Sequence, residues 1–251
     1  MSAPEEWFRD WFGETYLSLY PHRDEAEAEA AVRLFQREAD LGPGARVLDL
    51  ACGAGRHLAR LREAGYAAVG MDLSAHLLQG AAERPGVAGS LVRGDMRLLP
   101  FRDGAFSGLV NFFTSFGYFS SAAEDALVVC EVRRVLEPGG SFLLDYMNAA
   151  WVVANLEPES EGVVNGKLVR QTRWIEDGQV IKRIEVFPGA EKDPLHDRAQ
   201  VFHERVRLYE LPELADVLGQ HGLEVRAHFG DYKGGAFGEH SRRLLILGAA
   251  R

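Results

Sequence analysis

The stretch from Ala45 to His57 constrains the chain more than any other. Val47, Leu48 and Leu50 form a short apolar run, the pattern of a strand buried on both faces of a parallel sheet. Gly53 and Gly55 mark a turn, and Leu58-Ala59-Arg60-Leu61 has helical spacing. Strand, glycine-rich turn and helix, in that order, open a doubly wound α/β sheet. Backbone amides at the helix start face a ligand there, and the missing side chains let it come close. The stretch predicts a mostly parallel, Rossmann-like sheet with a nucleotide-like molecule at its turn.

Spacing narrows the ligand. A dinucleotide fingerprint needs a small residue three positions after its second glycine, and here that position is Leu58. What stands instead is an acid at the end of the strand, Asp49, followed by Leu50-Ala51-Cys52-Gly53-Ala54-Gly55. This resembles motif I of the class I S-adenosylmethionine-dependent methyltransferases, an acid followed by G-x-G-x-G, with Ala51 in the first glycine position. S-adenosyl-L-methionine, and its product S-adenosyl-L-homocysteine, end in an amino acid with a cationic ammonium and carry no phosphate. A carboxylate near the turn suits them.

The following strands repeat the arrangement. Ala67 to Met71 ends at Asp72, 19 residues beyond Gly53, where a carboxylate accepts hydrogen bonds from a ribose's vicinal hydroxyls. Leu73 is expected against the adenine, with Ser74 capping the next helix. The third strand delivers Gly94-Asp95-Met96; the resemblance implies that Asp95 accepts from the adenine amino group while the next backbone N–H reaches a ring nitrogen. The fourth ends at Asn111, so residues 111–118 should border the transferred methyl. Asn111-Phe112-Phe113-Thr114 lacks the Asn/Asp-Pro-Pro-Tyr of enzymes that methylate DNA bases or protein glutamine. A helix over 124–136 then turns through Pro138-Gly139-Gly140 into the fifth strand, and the last two strands form a closing hairpin. The implied sheet has seven strands.

Two segments lie outside this frame. Residues 1–24 carry Trp7, Phe8, Trp11, Phe12, Tyr16 and Tyr20 before the helix of Glu25 to Leu41. They read as an N-terminal cap, and the resemblance implies that Tyr16 or Tyr20 approaches the sulfonium and Arg23 the carboxylate of the cofactor. From Trp151 helix and strand cease to alternate. Residues 168–174, 180–186 and 200–208 read as antiparallel strands, so 151–209 is a small inserted β-sheet, with 25–150 and 210–251 forming the cofactor-binding domain. The insert leaves from the ligand side of the sheet, which makes it a lid that selects the acceptor; its exposed edges also suit a homodimer interface.

Methyl transfer from a sulfonium is an in-line displacement, in which the protein aligns the reactants and excludes water. A base is needed only for a protonated amine or a weakly acidic hydroxyl. Candidates are His57, Tyr118 and His240, with Tyr146 and His228 behind them. The net charge of -9, without a basic run, argues against nucleic acid as partner and leaves a small-molecule acceptor. Cys52 and Cys130 have neither metal-ligand nor disulfide spacing and read as buried thiols; no metal is expected. No apolar stretch is long enough for a membrane span, and the N-terminus lacks a signal sequence, so the expected compartment is the cytoplasm. Two other readings share the motifs: a noncatalytic regulator that binds the same cofactor, and a nicotinamide-dependent oxidoreductase, against which Leu58 and the closing hairpin stand.

Overall fold

A computed structural model describes residues 6–19, 25–190 and 198–251. The chain begins with two short helices, α1 (Phe8–Trp11) and α2 (Glu14–Leu19), then α3 (Glu25–Glu38). Alternation follows: β1 (Arg46–Leu50), α4 (Arg56–Glu63), β2 (Ala67–Asp72), α5 (Ala75–Ala82), β3 (Leu91–Arg93), β4 (Phe106–Asn111), α6 (Ala122–Val135) and β5 (Leu136–Met147). Next come α7 (Ala149–Asn155), then β6 (Glu159–Val164), β7 (Lys167–Glu176), β8 (Gln179–Val186) and β9 (Gln200–Arg207). The chain closes with α8 (Leu211–Gln220), β10 (Leu223–Phe229) and β11 (Arg243–Ala250).

The main sheet has seven strands in the order β10-β11-β5-β4-β1-β2-β3. All pairs from β5 to β3 are parallel, whereas β11 runs antiparallel to both β5 and β10, which is the expected closing hairpin. Parallel central strands need cover on both faces, and Val47, Leu48 and Leu50 are accordingly buried. Ala28, Ala31, Val32, Phe35 and Ala39, one stripe along and just past α3, are buried as well. Because the chain reverses its winding between β1 and β4, a crevice opens at the carboxyl ends of the strands.

Close approach fixes one glycine there. A Cβ on Gly70 in β2 would sit 2.5 Å from Leu58 and 2.8 Å from the Cys52 sulfur, so a larger residue would push the turn and α4 off the sheet. Ala51 opens the turn with φ 59, in the left-handed region that an L side chain enters at a cost of about 1 kcal/mol. That explains why a glycine suits this position. Ala51→Gly should therefore keep or raise the urea midpoint, although an ordinary Ala→Gly costs about 0.5–1 kcal/mol, and Ala51→Val should lower it by more than about 1 kcal/mol.

Several details differ from the sequence reading. The inserted sheet has four antiparallel strands, β6-β7-β8-β9, and not three. β6 escapes the pattern because Glu159-Ser160-Glu161-Gly162 is a mostly exposed edge with no apolar alternation. Leu136 already pairs with Phe106, so the Pro138-Gly139-Gly140 turn is an irregularity inside a longer β5. The third helix ends at Glu38, short of Leu41. Cys130 is exposed, because its apolar run wraps around both faces of α6; only Cys52 is buried. Tyr20 and Arg23 lie outside the described residues. Among the described residues no helix is long and apolar enough to cross a membrane, and no three His, Cys, Asp or Glu side chains cluster to hold a metal ion.

Candidate functional site

The crevice over the strand ends has a volume of about 750 Å³. Its floor is the turn after β1, with Ala51, Cys52, Gly53 and Ala54, together with Asp72, Leu73 and Ser74 after β2 and Asp95 and Met96 after β3. Phe112, Phe113, Thr114 and Ser115 after β4 continue the wall, followed by Met147, Arg242 and Arg243. Trp7, Phe8, Phe12, Tyr16 and Leu17 cover one side, and Lys182, Glu204 and Val206 of the inserted sheet cover another.

Asp72 bridges the first two loops. Its Oδ2 accepts from the Gly53 N–H and its Oδ1 from the Ser74 N–H, both at 2.8 Å. Burial raises its carboxyl above the usual range, and these amides act against that. Each oxygen keeps an acceptor direction beyond its amide, enough for a pair of hydroxyls. Ser74 caps α5, accepting from Leu77, and its hydroxyl donates to the Phe12 carbonyl at 2.6 Å, which ties the cap to this loop.

Asp49 lies beneath the turn, 1% exposed. It accepts from the Leu58 N–H, and its Oδ2 has no partner. Burial first, then the negative charge of Asp72, pushes its carboxyl up to about 8. A cation at the turn would favour its ionised form. Gly55 is likewise off the crevice wall: with φ 74 it precedes α4, and a Cβ there would meet Ala81 at 2.9 Å. Asn111 also stands behind the wall, its Nδ2 donating to the Leu50 carbonyl at 2.8 Å. Cys52 reaches the wall, but burial drives its thiol far above the usual range, so it is no nucleophile.

Asp95 is on the wall with its carboxylate already engaged. Arg97 approaches both oxygens, at 2.7 and 3.1 Å, and itself pairs with Glu124 at 2.7 Å and lies 4.5 Å over the Phe119 ring. Burial pushes the Asp95 carboxyl up, and Arg97 outweighs it, so the group titrates below its usual range. Its capacity to accept from a ligand is shared with this network.

The cap is an aromatic cluster. Tyr16 is buried, edge-on to Trp11 at 5.4 Å and Phe12 at 4.8 Å, and Tyr118 lies 4.9 Å from Trp7 and stacks on Phe12. The Trp7 indole donates to the Tyr118 carbonyl at 3.3 Å and the Trp11 indole to Glu204 at 2.7 Å. Of the proposed bases, His57 and Tyr118 reach the crevice, and His57 is buried with its ring 4.4 Å from that of Phe112. His240, on the loop after β10, and His228, on β10 itself, are exposed and off the wall. Tyr146 is fully buried, its hydroxyl donating to the Arg207 carbonyl.

The sequence reading missed one cluster. Phe113 and Thr114, with φ 65 and 52, are consecutive left-handed residues at the centre of the wall. Asp145 holds them: its Oδ2 accepts from the Phe113 N–H at 2.7 Å and its carbonyl from the Thr114 N–H at 3.0 Å. Asp145 is fully buried and also accepts from Tyr232 and from Arg243, the latter at 3.0 and 3.1 Å. The signal was present in the sequence as a lone acid within Phe142-Leu143-Leu144-Asp145-Tyr146.

A family model described as a methyltransferase domain matches residues 47–140. The dTDP-3-amino-3,4,6-trideoxy-alpha-D-glucopyranose N,N-dimethyltransferase of Streptomyces venezuelae is 33% identical over 139 residues, 55% of this chain and 53% of that protein. The chain thus spans about half the length of the curated relatives it matches. Among solved structures, an S-adenosylmethionine-dependent methyltransferase from Clostridium acetobutylicum superposes with a TM-score of 0.78, covering 94% of this chain and 96% of that one; at 19% identity the likeness concerns the fold. DesVI of Streptomyces venezuelae superposes with a TM-score of 0.67 at 25% identity, covering 96% and 98%. The matched methyltransferase domain, residues 47–140, runs from β1 into β5, and the strand order, the turn and the acids there are similar to those of the class I S-adenosylmethionine-dependent methyltransferases.

Proposed function

We propose that the protein transfers a methyl group from S-adenosylmethionine to a nitrogen or oxygen of a small molecule. The observation that carries this is the crevice itself: the motif turn and Asp72 on its floor, an aromatic cap and an inserted sheet over it, and about 750 Å³ between. That volume suits two small reactants and is closed to a folded macromolecule. The relative from Streptomyces venezuelae, named for an amino sugar acceptor, points the same way.

Bound there, the cofactor supplies a methyl group already activated on a sulfonium. Asp72 receives the ribose hydroxyls, Leu73 and Met96 flank the adenine, and Ala51, Gly53 and Ala54 face the amino-acid end, with Asp49 beneath for the ammonium. Gly55 and Asn111 serve from behind by holding the turn and the end of β1. Tyr16 and Tyr118 shape the cap side of the crevice. The chain's task at the reacting centre is alignment and exclusion of water. His57 and Tyr118 are the groups within the crevice able to take a proton from an acceptor that needs to lose one.

Residues 1–24 act as the cap, 151–209 as the lid, and 25–150 with 210–251 as the cofactor-binding domain. Trp11 joins cap to lid through Glu204. A cytoplasmic enzyme without nucleic-acid affinity, paired at most with a second copy of itself, fits the net charge of -9. The test is release of S-adenosylhomocysteine from S-adenosylmethionine over a panel of small amines and hydroxyl compounds. Turnover with a member of that panel is expected. Tight cofactor binding with no turnover over a broad panel would instead favour a regulator.

A further inference from the structure

The strand ends divide the crevice into two halves. Asp49, Asp72 and Asp95 stand at or after the ends of β1, β2 and β3, so on the reading above the cofactor lies over that half. The other half lies over β4, β5 and the start of β11, where Arg243 pairs with Met147, under Lys182 and Glu204. An acceptor has to enter there.

Lys182, Arg242 and Arg243 face that half, joined by Arg56 of α4, whose guanidinium lies 5.8 Å from the Phe113 ring centroid and whose charge acts on Asp49. Lys182 is matched by Glu204, its partner across the ladder, at 2.5 Å. Arg243 is matched by Asp145 at 3.0 Å and Glu27 at 2.6 Å. Arg242 has no acidic partner among the described residues. Its guanidinium lies over the Trp151 ring, 5.2 Å from the centroid. A guanidinium attracted to an indole face keeps its N–H groups available to a planar anion. The acceptor half therefore carries one positive charge with no acid beside it, set against an aromatic ring.

We infer that Arg242 recognises an anionic group, a carboxylate or a phosphate, on the acceptor, with Trp151 as its platform. This rests on the cofactor reading, which assigns the opposite half to S-adenosylmethionine. The side chain is exposed, so replacing it leaves the core intact.

The test uses full-length protein saturated with S-adenosylhomocysteine and titrated calorimetrically at low salt with inorganic pyrophosphate and, separately, with malonate. Wild type should bind at least one of them, and Arg242→Gln should weaken that binding by about tenfold while leaving S-adenosylhomocysteine affinity unchanged within about twofold. Binding of pyrophosphate alone assigns a phosphate, malonate alone a carboxylate, and both the shared chemistry. Wild type that binds neither anion, or equal affinity in the variant, overturns the assignment. So does a loss of S-adenosylhomocysteine affinity in Arg242→Gln, which would move this residue to the cofactor's own carboxylate. Failure of wild type to bind S-adenosylhomocysteine at all would be a different result, removing the cofactor reading and this assignment with it.

Discussion

Asp49→Asn should stabilise the protein at pH 8 and leave its stability at pH 4 nearly unchanged. In the unfolded chain this carboxyl titrates near 4. In the folded chain burial, and then the charge of Asp72, push it up to about 8. Below pH ~4 it is protonated in both states and adds no pH dependence. Between about 4 and 8 the unfolded chain loses the proton that the folded chain retains, so wild-type stability falls as pH rises, by at most about 1.4 kcal/mol per unit. Above about 8 both states are ionised and the loss is complete, on the order of 5–6 kcal/mol in all. Asn cannot ionise and lacks this slope. Asp72, Asp125 and Asp145 also titrate above their usual range, chiefly through burial, but they are common to both proteins. The difference between the two urea-unfolding curves, followed from pH 4 to 8, isolates Asp49. Parallel profiles would show that the carboxyl titrates normally and that a cation at the turn has no buried charge to meet.

The second large effect is expected at Asp145. It is fully buried and accepts from Arg243, Tyr232 and the Phe113 N–H. Asp145→Ala strands the Arg243 guanidinium, leaving it Glu27 alone among acids, and orphans a buried amide. Removing one partner of a buried ion pair costs about 3–5 kcal/mol, so urea denaturation should register a loss of that size. Asp145→Asn, which can still accept from Phe113, should cost less. The consequence for function is local. The Asp145 carboxylate holds the left-handed Phe113 through its amide, and without it that amide is released, whereas the Thr114 amide stays on the backbone carbonyl of residue 145. Methyl transfer in a surviving Asp145→Asn enzyme should fall further than S-adenosylhomocysteine affinity does. A loss below 1 kcal/mol in Asp145→Ala would mean that water or a neighbour replaces the carboxylate.

What could be read from the sequence follows a physical division. Motif I, Asp72 and the closing hairpin were legible because each is local: an apolar run, a glycine turn and an acid at a fixed distance determine strand, loop and side-chain direction. The site's long-range partnerships were not. Nothing near Asp95 in the sequence says that Arg97 would bridge its carboxylate to that of Glu124, 27 positions from the arginine. The Trp11 to Glu204 bond spans 193 positions, and the Arg243 to Glu27 pair 216. β6 was hidden for another reason: an exposed edge strand has no buried face and so no alternation to read. His240 shows the opposite failure, a residue type suited to catalysis at an exposed loop position off the crevice wall.

The most direct measurement is titration calorimetry of S-adenosylhomocysteine into wild type and Asp72→Ala at one pH and salt concentration. Asp72 is the wall carboxylate bonded to both the motif turn and the adjoining loop, and it keeps acceptor directions free for two hydroxyls. Saturable binding of one ligand per chain is predicted for wild type, with affinity in the variant weaker by about 2 kcal/mol, roughly 30-fold. Absence of binding by wild type, or the same affinity in both proteins, would contradict the placement of the cofactor over β1 and β2.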